Sequence, residues 1–532
     1  AVKERMAGAA SPRKRASLFD LLSARTTARK GPRTLWTAST PAFLSRLHVS
    51  ETLEEHDGCV NTICWNSSGS LLVSGSDDCR ICIWHCWDDR SAKLKAAVDT
   101  GHRRNIFCAR FVPNSSDEQV VTTALDGQVR LTNVMTRDHR RLGASAQFVS
   151  KLEFLPQSND VFLATGQDGH VTRYDLREPP RAGGEALVDL SAIGGCTTLA
   201  FAPDASGAFA IGCEDPMVRL YDVRKLAPGA PADATPTHAF CPRELVDSCG
   251  PRASYDRLGA GASGLAFSRS GELLVNLRGS DIFRFDGRLS LDALVAGVPT
   301  CTSVKATYRG RANNETFAKQ VTFLFSDALV ASGGDCGGLY VWHRESGRLA
   351  LQLEADSQIV NCVCGHPTLP LVAVSGIDSD IKLLSPGEPT EDEAVRRACM
   401  RDTWSEQDVV QDLARARKLR LAGNAAFGRG DHHDAELRYR DALELLEIDE
   451  CATSDARRDE MRKEKRNCHL NLAAAALRLG RYETVTSSCE RVLQAEPDNV
   501  KALYRRAQSE VACPRPRPHY RGQTVAPPQL SP

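Results

Sequence analysis

Between residues 56 and 384 the hydrophobic positions fall in short runs broken by Gly, Asp, Asn and Ser. The clearest stretch reads Val60-Asn61-Thr62-Ile63-Cys64-Trp65, then Leu71-Leu72-Val73-Ser74-Gly75-Ser76, then Ile81-Cys82-Ile83-Trp84, with Ser67-Ser68-Gly69 and Asp77-Asp78 between them. β-Branched and aromatic residues supply a half-buried pleated surface and Gly and Asp supply tight turns, so the pattern predicts three strands joined by turns. It recurs from Gly101-His102 through Asp126-Gly127, then with declining fidelity at 152–177, 198–224, 264–286, 330–342 and 359–384. Seven units, with residues 47–54 adding the outer strand of the last, predict a closed ring of sheets without a free edge. The longer connections at 225–257 and 287–317 are predicted to be surface loops.

After Pro386 the period changes. Gly423, Asn424, Phe427, Gly430, Ala435, Tyr439 and Ala442 place small and aromatic residues at helical offsets, and Leu472, Gly480, Tyr482, Leu493 and Pro497 repeat the arrangement. Ala473 and Ala507 lie 34 residues apart, whereas Gly423 and Ala473 lie 50 apart. The surplus predicts a lengthened second helix around 447–462. Cys513-Pro514 stops the third copy. The expected organisation is a basic tail over 1–43, the strand-rich unit over 44–386, an acidic linker over 387–408, helical repeats over 409–512 and a Pro-rich tail over 513–532.

Lys plus Arg equals Asp plus Glu at 67 each, so no global field draws the chain to nucleic acid or an anionic membrane. Protein partners are the default. Many of the 19 cysteines sit inside strand-like runs, as in Cys362-Val363-Cys364, which points to reduced thiols in the cytoplasm and nucleus. No apolar run reaches the roughly 18 residues of a membrane span, and a soluble protein is expected. Residues 1–46 hold ten Lys or Arg against Glu4 and Asp20. Their composition resembles an organelle transit peptide and Pro12-Arg13-Lys14-Arg15 a nuclear signal, beside the plainer reading of a basic disordered tail.

Candidate chemistry is sparse. Gly259-Ala260-Gly261-Ala262-Ser263-Gly264 matches a phosphate-binding glycine pattern but leads into a strand, which lacks the helix N-terminus such sites use. Cys79, Cys82 and Cys86, with His85 adjacent, have metal-like spacing, yet on a strand Cys79 and Cys82 face opposite ways and read as packing residues. No nucleophile elbow, P-loop or His-Glu-x-x-His is present, so an enzyme, a cofactor and a metal are not expected. Two units end alike, in Tyr174-Asp175-Leu176-Arg177 and Tyr221-Asp222-Val223-Arg224. In an extended strand each Asp and Arg face the same way, offering two guanidinium forks on one rim to a partner's carboxylates or carbonyls. An internal Asp–Arg pair fits the same residues equally well.

The order His56, Ser74, Asp77 or Asp78, and Trp84 resembles the WD repeat, the four-stranded blade of a β-propeller. The resemblance implies an all-β seven-bladed WD-repeat propeller in which these residues form a buried hydrogen-bonded chain. The helical part resembles tetratricopeptide repeats, so an all-α tetratricopeptide-repeat domain follows the propeller. Those repeats that bind heat-shock chaperone C-terminal tails, as in immunophilins, clamp two terminal carboxylates. Here Arg420, Asn424, Asn471, Lys501 and Arg505 match that set, with Arg420 where Lys is usual. The alternative is that the asparagines serve helix packing and the cations are solvated.

Residues 42–47 and 55–61, Thr100-Gly101-His102, Asn105-Ile106-Phe107, 357–362 and Ser375-Gly376-Ile377-Asp378 are similar to WD and tetratricopeptide repeat proteins among the cullin-4-associated substrate receptors. That resemblance implies a non-catalytic receptor of a cullin-4 RING ubiquitin ligase. Tyr174, Asp175, Arg177, Tyr221, Asp222 and Arg224 would contact the damaged-DNA-binding adaptor, and protein substrates, histones or chromatin factors among them, would be recruited. One departure stands out: the helical repeats here follow the propeller instead of interrupting it before its last two blades.

Overall fold

Short runs that alternate buried and half-exposed side chains, each closed by a glycine or an aspartate turn, fold into seven antiparallel sheets. They are seen in a computed structural model that describes residues 41–512 except 89–90, 146, 157, 180–183, 205, 228, 250–260, 287–290, 317–318, 388–405 and 447–454. The predicted basic tail before residue 41, most of the acidic linker and the Pro-rich tail lie outside the described residues.

Blade 1 is built from Val60–Trp65, Leu71–Ser76, Arg80–Asp88 and Ser91–Asp99, each paired with the next. Blades 2 to 6 repeat this order over 106–144, 149–189, 196–240, 262–308 and 321–354. Blade 7 takes its inner three strands from Val360–Gly365, Val372–Gly376 and Asp380–Pro386 and its outer strand from Leu47–Glu54. Leu47 pairs with Pro386 and Leu53 with Ile381, so the two ends of the propeller sequence close the ring.

Second strands such as Leu71–Ser76 and Val161–Gly166 are buried along their whole length because neighbouring blades cover both faces. The core is accordingly a series of layers between blades. Val73 and Ile81 of blade 1 pack with Ile106 and Val120 of blade 2, and Val129 and Leu142 of blade 2 pack with Phe162 and Tyr174 of blade 3. Gly75 shows why a small residue recurs here: a Cβ at that position would stand 2.8 Å from the Ile106 side chain.

The two long connections differ from the expectation of loops. They carry the outer strands His238–Phe240 of blade 4 and Val304–Tyr308 of blade 5. The second also sends a hairpin, Ala293–Val295 and Val298–Cys301, back onto blade 4, where Ala239 pairs in parallel with Thr300. Blade 4 is therefore six-stranded.

The helical unit contains α1 (Glu406–Gly428), α2 (His432–Leu446), α3 (Asp455–Arg478), α4 (Tyr482–Ala495) and α5 (Val500–Ala512). Gly423 lets α1 and α2 approach, since a Cβ there would meet the Tyr439 ring at 2.7 Å. Of the residues expected to lengthen the second helix, 455–462 belong instead to the N-terminal end of the third. Residues 447–454 lie outside the described residues.

Candidate partner-docking rim

In a blade whose strands run antiparallel from the centre outward, the turn after the third strand lies on the same face as the turn after the first. Tyr174 and Asp175 end the third strand of blade 3, and Tyr221 and Asp222 that of blade 4. Each tyrosine is buried and stacks on a cross-strand phenylalanine, Tyr174 on Phe162 at 5.1 Å and Tyr221 on Phe209 at 5.8 Å. These rings anchor the strand end from which the next three residues project.

Arg177 and Arg224 do not continue the strand, as an extended reading had them. Each sits in the turn that follows, with its backbone N–H donating to the aspartate Oδ1 at 3.1 and 3.0 Å. The turn folds the side chain back as well. Arg177 Nε and Nη2 donate to Asp175 Oδ1 and Oδ2 at 2.9 and 2.7 Å, and Arg224 repeats the pair on Asp222 at 2.9 and 2.8 Å. The internal pair and the rim display thus coexist. Both arginine side chains remain 66% exposed while the aspartates are at 3% and 11%. A bidentate carboxylate fixes one edge of each guanidinium, and Nη1 makes no hydrogen bond among the described residues.

The hydrogen bonds from Arg177 are the main cause that holds the Asp175 carboxyl down at about 2, against a smaller opposing effect of burial. Arg224 lowers Asp222 in the same way. Arg173 adds a second cation behind Asp175 at 3.2 Å and spans to Glu185 at 3.3 Å. The equivalent position of blade 6 is Glu345, which pairs with buried Arg284 at 2.6 Å. That blade offers no free fork.

The histidine network of blade 1 is assembled through one of the two candidate aspartates. His56 Nδ1 meets Asp78 Oδ2 at 2.8 Å, His56 Nε2 meets Ser74 Oγ at 2.9 Å, and Trp84 Nε1 donates to Ser74 Oγ at 3.0 Å. Asp77 lies outside the chain and accepts from Asn61 and Asn105, tying blade 1 to the start of blade 2. Cys79 occupies the turn with a positive φ of 64°, and Cys82 and Cys86 are buried in the strand. Gly261, the described glycine before the blade 5 inner strand Ala262–Phe267, leads into no helix.

In the helical unit Asn471 Nδ2 and Tyr439 Oη both donate to Asn424 Oδ1 at 2.8 Å. Arg505 Nη1 donates to the Leu470 carbonyl at 2.6 Å, and Arg420 and Arg505 both act electrostatically on Tyr439. Arg420 is occupied by the buried Glu464 carboxylate, an acid the sequence pattern did not bring in. Lys501 is exposed one turn before Arg505 on α5. Four of the five residues therefore gather around one tyrosine, with one cation already partnered.

The family model for the WD domain, G-beta repeat, matches residues 48–85. The chain is 36% identical over 191 residues to the human DDB1- and CUL4-associated factor 6, covering 35% of this chain and 22% of that protein. It is 31% identical over 276 residues to the human WD and tetratricopeptide repeats protein 1, covering 46% and 39%. Protein ALTERED SEED GERMINATION 2 of Arabidopsis thaliana matches at 36% over 244 residues, covering 39% and 32%. The fold of the present chain is a seven-bladed WD-repeat propeller followed by a helical unit.

The chain spans between 22% and 39% of the length of these relatives. One described position on the WD-repeat rim escaped the reading of motifs. Met135 of blade 2 stands where Arg177 stands in blade 3, its N–H bound to Asn133 Oδ1 at 2.9 Å, and its side chain is 63% exposed. Thr132-Asn133-Val134-Met135 was the available signal, hidden because neither end residue keeps its type. Phe285-Asp286-Gly287-Arg288 repeats the Asp-x-Arg pattern in blade 5, with Arg288 outside the described residues.

Proposed function

We propose that this chain is a non-catalytic substrate receptor of a cullin-4 RING ubiquitin ligase, seated on the damaged-DNA-binding adaptor by the rim of blades 3 and 4. The observation that carries the reading is the duplicated turn in which Asp175 and Asp222 each hold an exposed guanidinium in one geometry. Two pre-oriented forks on adjacent blades suit carboxylates or carbonyls of a protein surface, and little side-chain freedom is lost on docking. The names of the relatives, among them a DDB1- and CUL4-associated factor, support the same partner. Protein substrates, histones or chromatin factors among them, would then be held elsewhere on the propeller or by the helical repeats.

Arginines that become desolvated anchors at an interface are worth about 2 kcal/mol or more each on truncation. Co-precipitation of the adaptor with wild type and with Arg177→Ala/Arg224→Ala tests the proposal. The double variant is expected to lose most of the adaptor and its cullin, and undiminished recovery overturns the assignment.

A second reading rests on the Asn424–Asn471–Tyr439 cluster with Arg505 and Lys501 at its edge: a clamp for the two terminal carboxylates of a chaperone tail. Titration with an acidic C-terminal peptide should show binding that Lys501→Ala weakens and that amidation of the peptide terminus abolishes. Absence of binding removes it.

A further inference from the structure

The arginines of the propeller are mostly ion-paired: Arg80, Arg110, Arg173, Arg219, Arg284 and Arg344 each meet a carboxylate within 4 Å. Apart from Arg110 on its inner strand, blade 2 departs from this. Arg103, Arg104, Arg130, Arg137, Arg140 and Arg141 make no ion pair among the described residues. Arg130 and Arg141 face each other directly across the ladder between the third strand, Gln128–Asn133, and the outer strand, His139–Ala144. Like charges directly opposite on a sheet are destabilising.

Two nearby carboxylates offset part of the repulsion without forming an ion pair with either arginine. Asp99 and Asp126 act on Arg130 at a distance, but Asp99 accepts from the Gly101 N–H at 2.7 Å and Asp126 from His102 at 3.0 Å. Arg130 spends its Nε on the Thr100 carbonyl and its Nη1 on Gln128. Arg141 and Arg103 further disfavour its charge, after burial. Asp138 immediately precedes the outer strand and is exposed.

The same strand is the free outer edge of its sheet, which closing the ring does not cover, contrary to the expectation of a ring without a free edge. His139–Ala144 pairs only with Gln128–Asn133. Leu142 and Gly143 pack against Tyr174 of blade 3, whereas His139, Arg140 and Arg141 are exposed. Arg137 sits in the turn leading into this strand, Arg130 and Arg141 beside its middle, and Arg103 in the loop that starts blade 2's inner strand. The cations thus follow the strand from one face of the propeller to the other, along the line an added strand would take at about 3.3 Å per residue.

We infer that the outer edge of blade 2 is a docking surface for an acidic extended peptide, which adds as a fifth strand and neutralises the arginine track. Basic side chains on an open edge repel uncharged or basic strands and leave it accessible to a strand that brings acids. The unsatisfied backbone edge favours a peptide over a nucleic acid, which has no groups to continue the ladder. This inference is independent of the adaptor proposal, since it uses neither Arg177 nor Arg224.

Fluorescence polarisation with a labelled alternating Glu-Val decapeptide, its backbone N-methylated analogue, an alternating Lys-Val decapeptide and an oligothymidylate tests it on the full chain. Expected are saturable binding of the Glu-Val peptide, at least tenfold weakening by N-methylation, and no binding of the Lys-Val peptide. Arg103→Glu/Arg141→Glu should weaken binding at least tenfold, and so should Arg137→Glu, which leaves the strand untouched and guards against a folding defect. The inference is overturned by no binding, by equal binding of the N-methylated peptide, by indifference to Arg137→Glu, or by tighter binding of the oligothymidylate.

Discussion

Asp77 and Asp78 are adjacent, equally acidic and both in a turn, yet only Asp78 joins the blade 1 network. Its Oδ1 accepts the Arg80 N–H at 2.8 Å while its Oδ2 takes His56 and the Asp57 N–H. Burial acts to raise the Asp78 carboxyl, but these hydrogen bonds outweigh it and hold it at about 2. A carboxyl lowered in the fold contributes stability that is present above its unfolded value near 3.9 and lost as pH falls towards 2. Asp78→Asn should therefore cost about 1–3 kcal/mol in urea unfolding at pH 7, with the difference from wild type shrinking below pH 4. The residue types of the network were legible in the sequence. The choice between neighbours was not, because it depends on Asn105 of the next blade engaging Asp77.

At the scale of elements, the strands and their turns could be read from local chemistry, but two arrangements could not. The hairpin from 293 to 301 pairs with blade 4 although it belongs to the sequence of blade 5, and no local pattern encodes a non-local partner. The Asp-x-Arg ending was read as an extended strand and is a turn, because the aspartate accepts the N–H two residues on and pulls the chain round. Met135 in the equivalent turn adds an apolar side chain beside the two forks. Met135→Asp should weaken adaptor affinity by about 1 kcal/mol, less than either arginine truncation, in a titration with purified adaptor. Turn-to-turn contacts also join blades. His366 Nδ1 accepts the N–H groups of Thr368 and Leu369 at 3.1 and 2.9 Å, and its Nε2 donates to the Gly69 carbonyl of blade 1 at 2.9 Å. Burial pushes the imidazole down to about 4. The unfolded chain then binds the extra proton between about 6.5 and 4, so stability falls as pH drops through that window and levels off below it. His366→Gln should flatten the melting temperature of the propeller across pH 6.5 to 4.

At the scale of the molecule, closure rests on Leu47–Glu54 completing blade 7, and Leu53 is buried between Trp65 and Ile381 in the layer that joins blades 7 and 1. Leu53→Ala should cost about 2–5 kcal/mol, and deletion of 41–54 should leave the edge of Asp380–Pro386 open and drive aggregation visible by light scattering. Closure of this kind was legible because seven units need one strand from outside their own run. The docking rim depends on it, since blades 3 and 4 present their arginines together only in a rigid ring. The decisive measurement is the affinity of purified adaptor for immobilised chain by biolayer interferometry, comparing wild type, Arg177→Ala, Arg224→Ala and the double variant. The account predicts a loss of about tenfold or more for each single variant and roughly 100-fold or more for the double, with each variant still unfolding in a cooperative transition. Equal affinity of wild type and double variant, both folded, would contradict it.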